Sequence, residues 1–314
     1  MRKLIAIVGA TATGKTSLAV ELARRLGEEE GLTAEAVGAD SRQVYRRMDI
    51  GTAKPTPAER AALRHHLVDV ADPGEPFSLA VWLELAEQAV RDIWDRGGLP
   101  LVVGGTGQYV WALLEGWRVP RVPPDEALRR ELEGRSAAEL AAELRRVDPE
   151  AEQYIDPRNV RRVIRALEVQ AATGVPFSHW RTKAPPAFEP LVIGLWLPRD
   201  ELYRRIDERV ERMFAEGLVD EVRGLLEAGY SRDLPAMSGI GYKEAAEYLA
   251  GERTLESAIE ATKLRTHRLA RHQHAWFKQD DRRIHWVEAS AGAVERAVEL
   301  AHAFTGVAPA GRRV

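Results

Sequence analysis

The sequence predicts an α/β protein: a mostly parallel sheet with helices on both faces, an all-helical insertion and a helical C-terminal region. Three observations predict it. Short apolar runs recur at residues 4–8, 36–39, 67–70, 101–103, 192–197 and 284–287, with helical segments between them. Alternation of this kind marks parallel strands joined by crossover helices. The first run leads directly into a glycine-flanked loop and a helix, and the alternation stops after Trp117 to resume at Val192.

The first strand is Leu4-Ile5-Ala6-Ile7-Val8, and Gly9-Ala10-Thr11-Ala12-Thr13-Gly14-Lys15-Thr16 follows it. The loop is a complete G-x-x-x-x-G-K-[ST] motif. Behind it Leu18, Ala19, Leu22, Ala23 and Leu26 recur at helical spacing until Gly27 ends the pattern. Strand, glycine loop and helix together read as the opening of a P-loop NTPase-like sheet. Backbone N–H groups converge on a phosphate there, the helix N-terminus adds positive potential, and Lys15 supplies a full charge. A plain Gly-rich turn is the alternative, and the complete pattern outweighs it. The loop binds a di- or triphosphate, without saying which or whether a phosphoryl group moves.

The second run ends in Asp40-Ser41-Arg42-Gln43-Val44-Tyr45. A carboxylate at a strand end beside the phosphate loop can hold Mg²⁺ through water or accept a proton, while an Asx-turn or helix cap is the structural alternative. The run at 101–103 ends in Gly104-Gly105-Thr106-Gly107. Glycines let backbone approach a ligand, and Thr106 could donate to a phosphate or leaving-group oxygen; a tight βα turn explains the same residues equally well. A kinase or ATPase with this loop needs an acidic residue at the end of a strand for its metal. Glycines stand at that strand end, which leaves Asp69 in the 67–70 run as the candidate.

After Trp117, Val119-Pro120-Arg121-Val122-Pro123-Pro124 forms a stiff joint. From Asp125 to about Ala172 the chain reads as helices only, with Leu128, Leu132, Leu140 and Leu144, and Lys183-Ala184-Pro185-Pro186 makes a second joint. The chain thus divides into a first part of the core (1–122), a helical insertion (123–190) and a second part of the core (191–314). After Arg199 that second part is helical until Ile284, and the tail after Phe304 is expected to fray.

Two segments are basic. In one, Arg161 and Arg165 share a helix face while Val160, Val163, Ile164 and Leu167 turn to the core. In the other, Lys263, Arg265, Arg268, Arg271 and Lys278 alternate with His267, His272, His274, Trp276 and Phe277. Few acidic neighbours and adjacent aromatics suit an RNA backbone with unstacked bases, against the alternative of a solvated helix face. The histidine spacings, His65-His66 and His272/His274, do not fit a metal site on one helix face, and structural roles are expected.

Bulk properties bound the rest. A chain of 314 residues with net charge −3 is long enough for a large core, and its charge says little about partners. With no cysteine, disulfides, thiolate zinc sites and a cysteine nucleophile are excluded. No stretch approaches the ~18 apolar residues of a membrane span. A cytoplasmic monomer that does not engage membranes is expected.

Taken together, these residues resemble the bacterial tRNA dimethylallyltransferase family. The matching pieces are 9–16, then Asp40-Ser41-Arg42-Gln43-Val44-Tyr45 on through Met48-Asp49-Ile50-Gly51-Thr52-Ala53-Lys54-Pro55, His65-His66-Leu67 and Gly104-Gly105-Thr106-Gly107. They continue with Arg165-Ala166-Leu167-Glu168-Val169, Gly239-Ile240-Gly241-Tyr242-Lys243 and Arg271-His272-Gln273 with Trp276-Phe277-Lys278. They fall in order over nearly the whole chain. Gln108 stands where the family has an apolar residue, and His267 and His272 where it has arginine.

The resemblance implies transfer of a dimethylallyl group from dimethylallyl diphosphate to N6 of an adenine next to the anticodon, with no ATP consumed. The diphosphate would lie on Gly9, Ala10, Thr11, Ala12, Thr13, Gly14, Lys15 and Thr16, with Mg²⁺ held at Thr16 and charge added by Arg205 or Arg209. Asp40 would accept the amine proton, and Thr106 and Arg129 would contact the reacting region. The anticodon stem-loop would meet Asp40, Ser41, Arg42, Gln43, Thr106, Arg129, Arg161, Arg162, Val163, Ile164, Arg165, Lys243, Arg271 and Lys278. Two other readings stay open from the motifs themselves: a small-molecule kinase or an isopentenyltransferase for free adenine nucleotides, and an RNA-binding NTPase switch without a product.

Overall fold

The computed structural model describes residues 1–306. In chain order the elements are β1 (Arg2–Gly9), α1 (Lys15–Glu30), β2 (Ala34–Gly38), α2 (Pro57–Ala62), β3 (His65–His66), α3 (Leu79–Asp95), β4 (Leu99–Val103) and α4 (Gly107–Leu114). Then come α5 (Glu126–Glu133), α6 (Ala137–Val147), α7 (Val160–Thr173), β5 (Phe188–Trp196), α8 (Arg199–Ala215), α9 (Leu218–Glu227), α10 (Tyr242–Leu249), α11 (Leu255–Trp276), β6 (Ile284–Glu288) and α12 (Ala293–Thr305).

The strands form one sheet in the order β3-β2-β4-β1-β5-β6, and every pairing is parallel. A mostly parallel α/β fold is what the alternating pattern predicts. β1 is central because its residues 4–8 are wholly buried, as a strand covered on both faces must be. On one face Ile5 and Ile7 pack with Leu18, Leu22 and Leu26 of α1 and with Ala297 and Val298 of α12. Ile7 is paired with Val103 and Gly38 with Val103, so β2, β4 and β1 end side by side. Whatever follows those three strands is brought to one place.

Two expectations of local structure are corrected. The run at 67–70 is not a strand: Leu67 and Asp69 have φ of +62° and +60°, which breaks extended pairing, and the short strand lies at His65–His66 instead. α1 does not end at Gly27; it runs on to Glu30 and is stopped by Gly31, whose left-handed φ of +65° lets its N–H reach Gly27 O. The tail expected to fray falls almost wholly on 307–314, outside the described residues, since α12 extends to Thr305.

The chain clusters into two compact units. One holds 1–77, 82–114 and 187 onward, and the other holds Ser78–Val81 and Glu115–Pro186. The second unit is helical. Its core joins Leu132 of α5, Leu140 and Leu144 of α6, and Val163, Ile164 and Leu167 of α7. The chain just ahead of its first proline joint is fastened to the chain at the second: Arg118 N donates to Thr182 O at 3.0 Å and Ala184 N to Gly116 O at 2.8 Å. Helix starts there carry the expected chemistry. Asp125 caps α5, and Ser136 with Glu139 forms a capping box on α6. Among the described residues no helix is long and apolar enough to cross a membrane.

Candidate active site

The loop after β1 is shaped by glycines for two separate reasons. Gly9 has φ +138°, and a Cβ there would stand 2.3 Å from Leu195 O; Gly14 has φ +86° and begins α1. Ala12 also takes a left-handed φ of +64°, an arrangement in which successive N–H groups turn toward one concavity. Inside the loop, Thr13 Oγ1 and Lys15 Nζ both donate to Ala10 O, at 2.9 and 2.7 Å. Burial pulls the Lys15 ammonium down to about 8, opposed by the charge of Asp40 and aided by that of Arg209. Arg209, from α8, donates to Thr11 Oγ1 at 3.2 Å. Its own affinity for its proton is lowered by burial, with Asp40 opposing. Two partly desolvated cations thus face one loop, as a site built for an anion requires.

Asp40 follows β2 and does two things. Its Oδ1 accepts from Arg42 N at 2.8 Å, so the Asx-turn considered from sequence is present. Its charge also acts on Lys15 and Arg209. Next to it, Thr106 follows β4. Thr106 N donates to Ala39 O, and Thr106 Oγ1 accepts from Ser41 N at 3.1 Å. Gly104 permits this approach, because a Cβ there would lie 2.1 Å from Ala39 O.

A cavity of about 1070 Å³ opens over these strand ends, lined among others by Lys15, Thr16, Asp40, Gly104, Arg209 and Gln273. It brings together most of the diphosphate residues predicted from sequence. Arg205 also lines it but is tied to Glu201 at 2.6 Å. Gln43 holds the far wall, donating to Thr52 O and Ala53 O at 3.2 and 2.9 Å. Arg42 is occupied elsewhere, by Pro235 O at 2.7 Å. Asp69 is no open carboxylate: Lys54 takes one oxygen at 2.6 Å and Arg60 the other at 2.8 Å. Burial works against its charge, yet those bonds outweigh it and hold the group below the usual carboxylate range.

The remaining predicted residues divide by exposure. Arg268, Arg271 and His272 on α11 are exposed, as is Lys278 just after it, and Arg271 reaches Tyr203 OH at 3.3 Å. Lys243 is exposed on α10. Lys263 and Arg265, read as part of the basic face, are instead spent on Glu211 and Glu260, and on Glu244. His267 pairs with Asp207 at 2.8 Å and stacks on Tyr203, a structural role, and Gln108 is simply solvent-facing on α4.

In the helical unit Arg161 and Arg162 are exposed. Val163 and Ile164, expected among the RNA contacts, are core residues whose side chains pack against α5 and α6, so that expectation is corrected for both side chains. Arg129 and Arg165 both grip Glu168. Glu168 is 1% exposed and accepts from Arg129 Nε at 2.8 Å, Arg129 Nη2 at 3.0 Å, Asp125 N at 2.7 Å and Arg165.

Sequence reasoning missed Gln273. It is buried on α11, accepts from Thr11 N at 2.8 Å and donates to Gly105 O at 3.1 Å. A glutamine inside a run of charged and aromatic residues gives no signal of its own. It also missed Glu221, whose carboxylate caps the cavity loop through Asp49 N and Ile50 N at 2.9 and 2.8 Å and takes the Tyr242 hydroxyl.

Comparison with known proteins follows the same geometry. The family model described as IPP transferase matches residues 43–280, and that described as isopentenyl transferase matches 2–71. The chain is 55% identical over 284 residues to the tRNA dimethylallyltransferase of Roseiflexus sp. (strain RS-1), covering 89% of this chain and 91% of that one. It is 53% identical over 283 residues to that of Chloroflexus aurantiacus, covering 89% and 94%. Among solved structures, the full-length tRNA isopentenylpyrophosphate transferase from Bacillus halodurans superposes with TM-score 0.70 at 40% identity, covering 98% and 96% of the chains. A eukaryotic dimethylallyltransferase acting on tRNA superposes with TM-score 0.84 at 27% identity, covering 100% and 82%.

Proposed function

This chain belongs to the IPP transferase family, and from that premise we propose that it transfers a dimethylallyl group from dimethylallyl diphosphate to N6 of an adenine next to the anticodon of tRNA, releasing pyrophosphate. One observation carries the reading. The phosphate loop, the Asp40 carboxylate and the Thr106 turn follow three neighbouring strand ends, and the loop, Asp40 and Gly104 line one cavity there, with Thr106 bound to the Asp40 turn through Ser41 N.

The chemistry explains the set. An adenine amine is a weak nucleophile, its lone pair being delocalised into the ring, whereas the carbon it attacks is allylic. C–O cleavage can therefore run ahead of N–C bond formation. The site must neutralise the departing diphosphate, accept the amine proton and keep water from a cation-like carbon. The loop N–H groups, Lys15 and Arg209 meet the first need. Asp40 meets the second, with Oδ1 fixed by the turn and the carboxylate otherwise available. Thr106 Oγ1 already accepts from Ser41 N, so its hydrogen is left to donate to the adenine or to the leaving oxygen.

Mg²⁺ fits the donors present. Among the described residues no three acidic or histidine side chains cluster to cage a metal. Mg²⁺ with a diphosphate needs no such cage, since it keeps waters and takes substrate oxygens alongside one or two protein groups. Thr16 would hold it, with Asp40 acting through water. Bound there, it would offset charge on the diphosphate.

The RNA substrate must give up a stacked base, at a cost of a few kcal/mol. Exposed Arg161, Arg162, Arg271, Lys243 and Lys278 supply phosphate contacts that offset it. Asp40 to Gln43 meet the base, and Arg129 and Arg165 present guanidinium groups held by Glu168. The enzyme acts as a monomer in the cytoplasm. A kinase reading loses its best metal carboxylate, because both oxygens of Asp69 are taken by cations. Incubation with dimethylallyl diphosphate, Mg²⁺, ATP and either unmodified tRNA or AMP, followed by nucleoside mass analysis and an ATP assay, tests the proposal. Prenylated adenosine from tRNA is expected; equal prenylation of AMP, or consumption of ATP, would overturn it.

A further inference from the structure

We propose that Gln273 is a positioning residue for this transfer, its carboxamide registering the diphosphate loop against the turn that presents Thr106. The inference rests on the proposed reaction and deepens it. The loop follows β1 and the Thr106 turn follows β4, and Gln273 spans the two from α11. Its Oε1 accepts from Thr11 N at 2.8 Å and its Nε2 donates to Gly105 O at 3.1 Å.

The orientation of the amide is fixed by its partners. A backbone N–H can only donate and a carbonyl only accept, so a flipped carboxamide would oppose both. The space is fixed as well: a Cβ on Gly105 would lie 2.2 Å from Nε2, which explains why the second residue of that turn is glycine. α11 cannot drift away from the pair, because Phe277 just beyond it is 1% exposed and Trp111 Nε1 donates to Trp276 O at 3.0 Å. A helix whose exposed Arg271 is assigned to RNA thereby sets the spacing between the leaving group's cradle and the hydroxyl beside the base.

Displacing one reacting group by about 1 Å costs on the order of 100-fold in rate, while affinity for a macromolecule held elsewhere need not change. Gln273→Leu keeps the volume and loses both bonds. Its kcat should fall about 10-fold to 100-fold with KM for tRNA unchanged. Gln273→Glu supplies a second readout. A protonated carboxyl accepts from Thr11 N and donates to Gly105 O, whereas the ionised form repels that carbonyl. The ratio of its kcat to that of the wild type should therefore rise as pH is lowered through the carboxyl's titration, and the Gln273→Leu ratio should stay flat. Dividing by the wild type removes the pH dependence that the two proteins share.

Wild-type kcat in Gln273→Leu, a tRNA KM that moves in step with kcat, or a flat ratio for Gln273→Glu would overturn the role. Should Gln273→Leu fail to fold, the pH ratio of Gln273→Glu decides alone. If the wild type transfers no prenyl group, the proposed reaction falls; an active wild type with indifferent variants removes only Gln273.

Discussion

The backbone amide of Ser41 donates to the hydroxyl of Thr106 at 3.1 Å, joining the end of β2 to the end of β4. Asp40, one residue earlier, shapes the same turn by accepting from Arg42 N. A carboxylate that folds a turn and is proposed as the base needs two different substitutions to separate the roles.

Asp40→Asn keeps the oxygen that caps the turn and removes the base. It should retain tRNA affinity and melt close to the wild type, yet lose about 10²–10⁴ in kcat. Asp40→Ala should lose the turn as well, costing an additional ~1 kcal/mol of stability. Single-turnover rates beside thermal denaturation check both. An active Asp40→Asn enzyme removes Asp40 as base.

Lys15 gives the pH dependence its sign. Its proton leaves at about 8 in the free protein, whereas bound diphosphate would favour the charged form. Below that pH the lysine is charged before and after binding, and affinity should be flat. Above it, binding must take up a proton, and the Kd for dimethylallyl diphosphate should rise by up to tenfold per pH unit. The free protein behaves oppositely: the unfolded lysine holds its proton to ~10.4, so stability rises with pH between the two values. Calorimetry in buffers of different ionisation heat measures the uptake directly.

Much of this was legible in the sequence, and the exceptions have physical causes. The phosphate loop is readable because its chemistry is local: glycine at set positions, then Lys15 and Thr16. The sheet order is not local, yet the apolar runs at 4–8, 101–103 and 192–197 needed only burial on both faces to be recognised as strands. The run at 67–70 misled because apolar character there serves packing of a bent segment: Leu67 is buried with φ +62°. Val163 and Ile164 misled differently. The helical period already turned them to the core, as the structure has them, and only the family resemblance made them RNA contacts. Gln273 and Glu221 act through contacts with residues far off in the chain, and one-dimensional spacing carries no trace of those.

Glu168 balances two arginines of the helical unit, and Glu168→Gln would free them. The cation pairs are partly exposed, so the loss should be about 2–3 kcal/mol, below that of a fully buried pair. With one negative charge fewer, binding to any RNA should depend on salt more steeply, while turnover falls because Arg129 is no longer held. Denaturant titration and a salt series separate these effects from simple unfolding, which would weaken RNA binding.

The proposed tRNA surface is tested by salt dependence. Each phosphate contact contributes ~0.7–0.9 to the slope of log K against log salt. Arg161→Ala and Lys278→Ala should each flatten it by about that amount. Val163→Ala should leave the slope alone and cost about 1–3 kcal/mol of stability, since its side chain is core. A flat salt response in the wild type would count against the whole surface.

The most direct measurement is a crystal structure with an unreactive dimethylallyl diphosphate analogue and an anticodon stem-loop. The prediction is a diphosphate hydrogen-bonded to Lys15 and the loop amides, and an unstacked adenine whose N6 lies within hydrogen-bond reach of Asp40. A diphosphate bound away from Lys15, or an adenine beyond reach of Asp40, would contradict it.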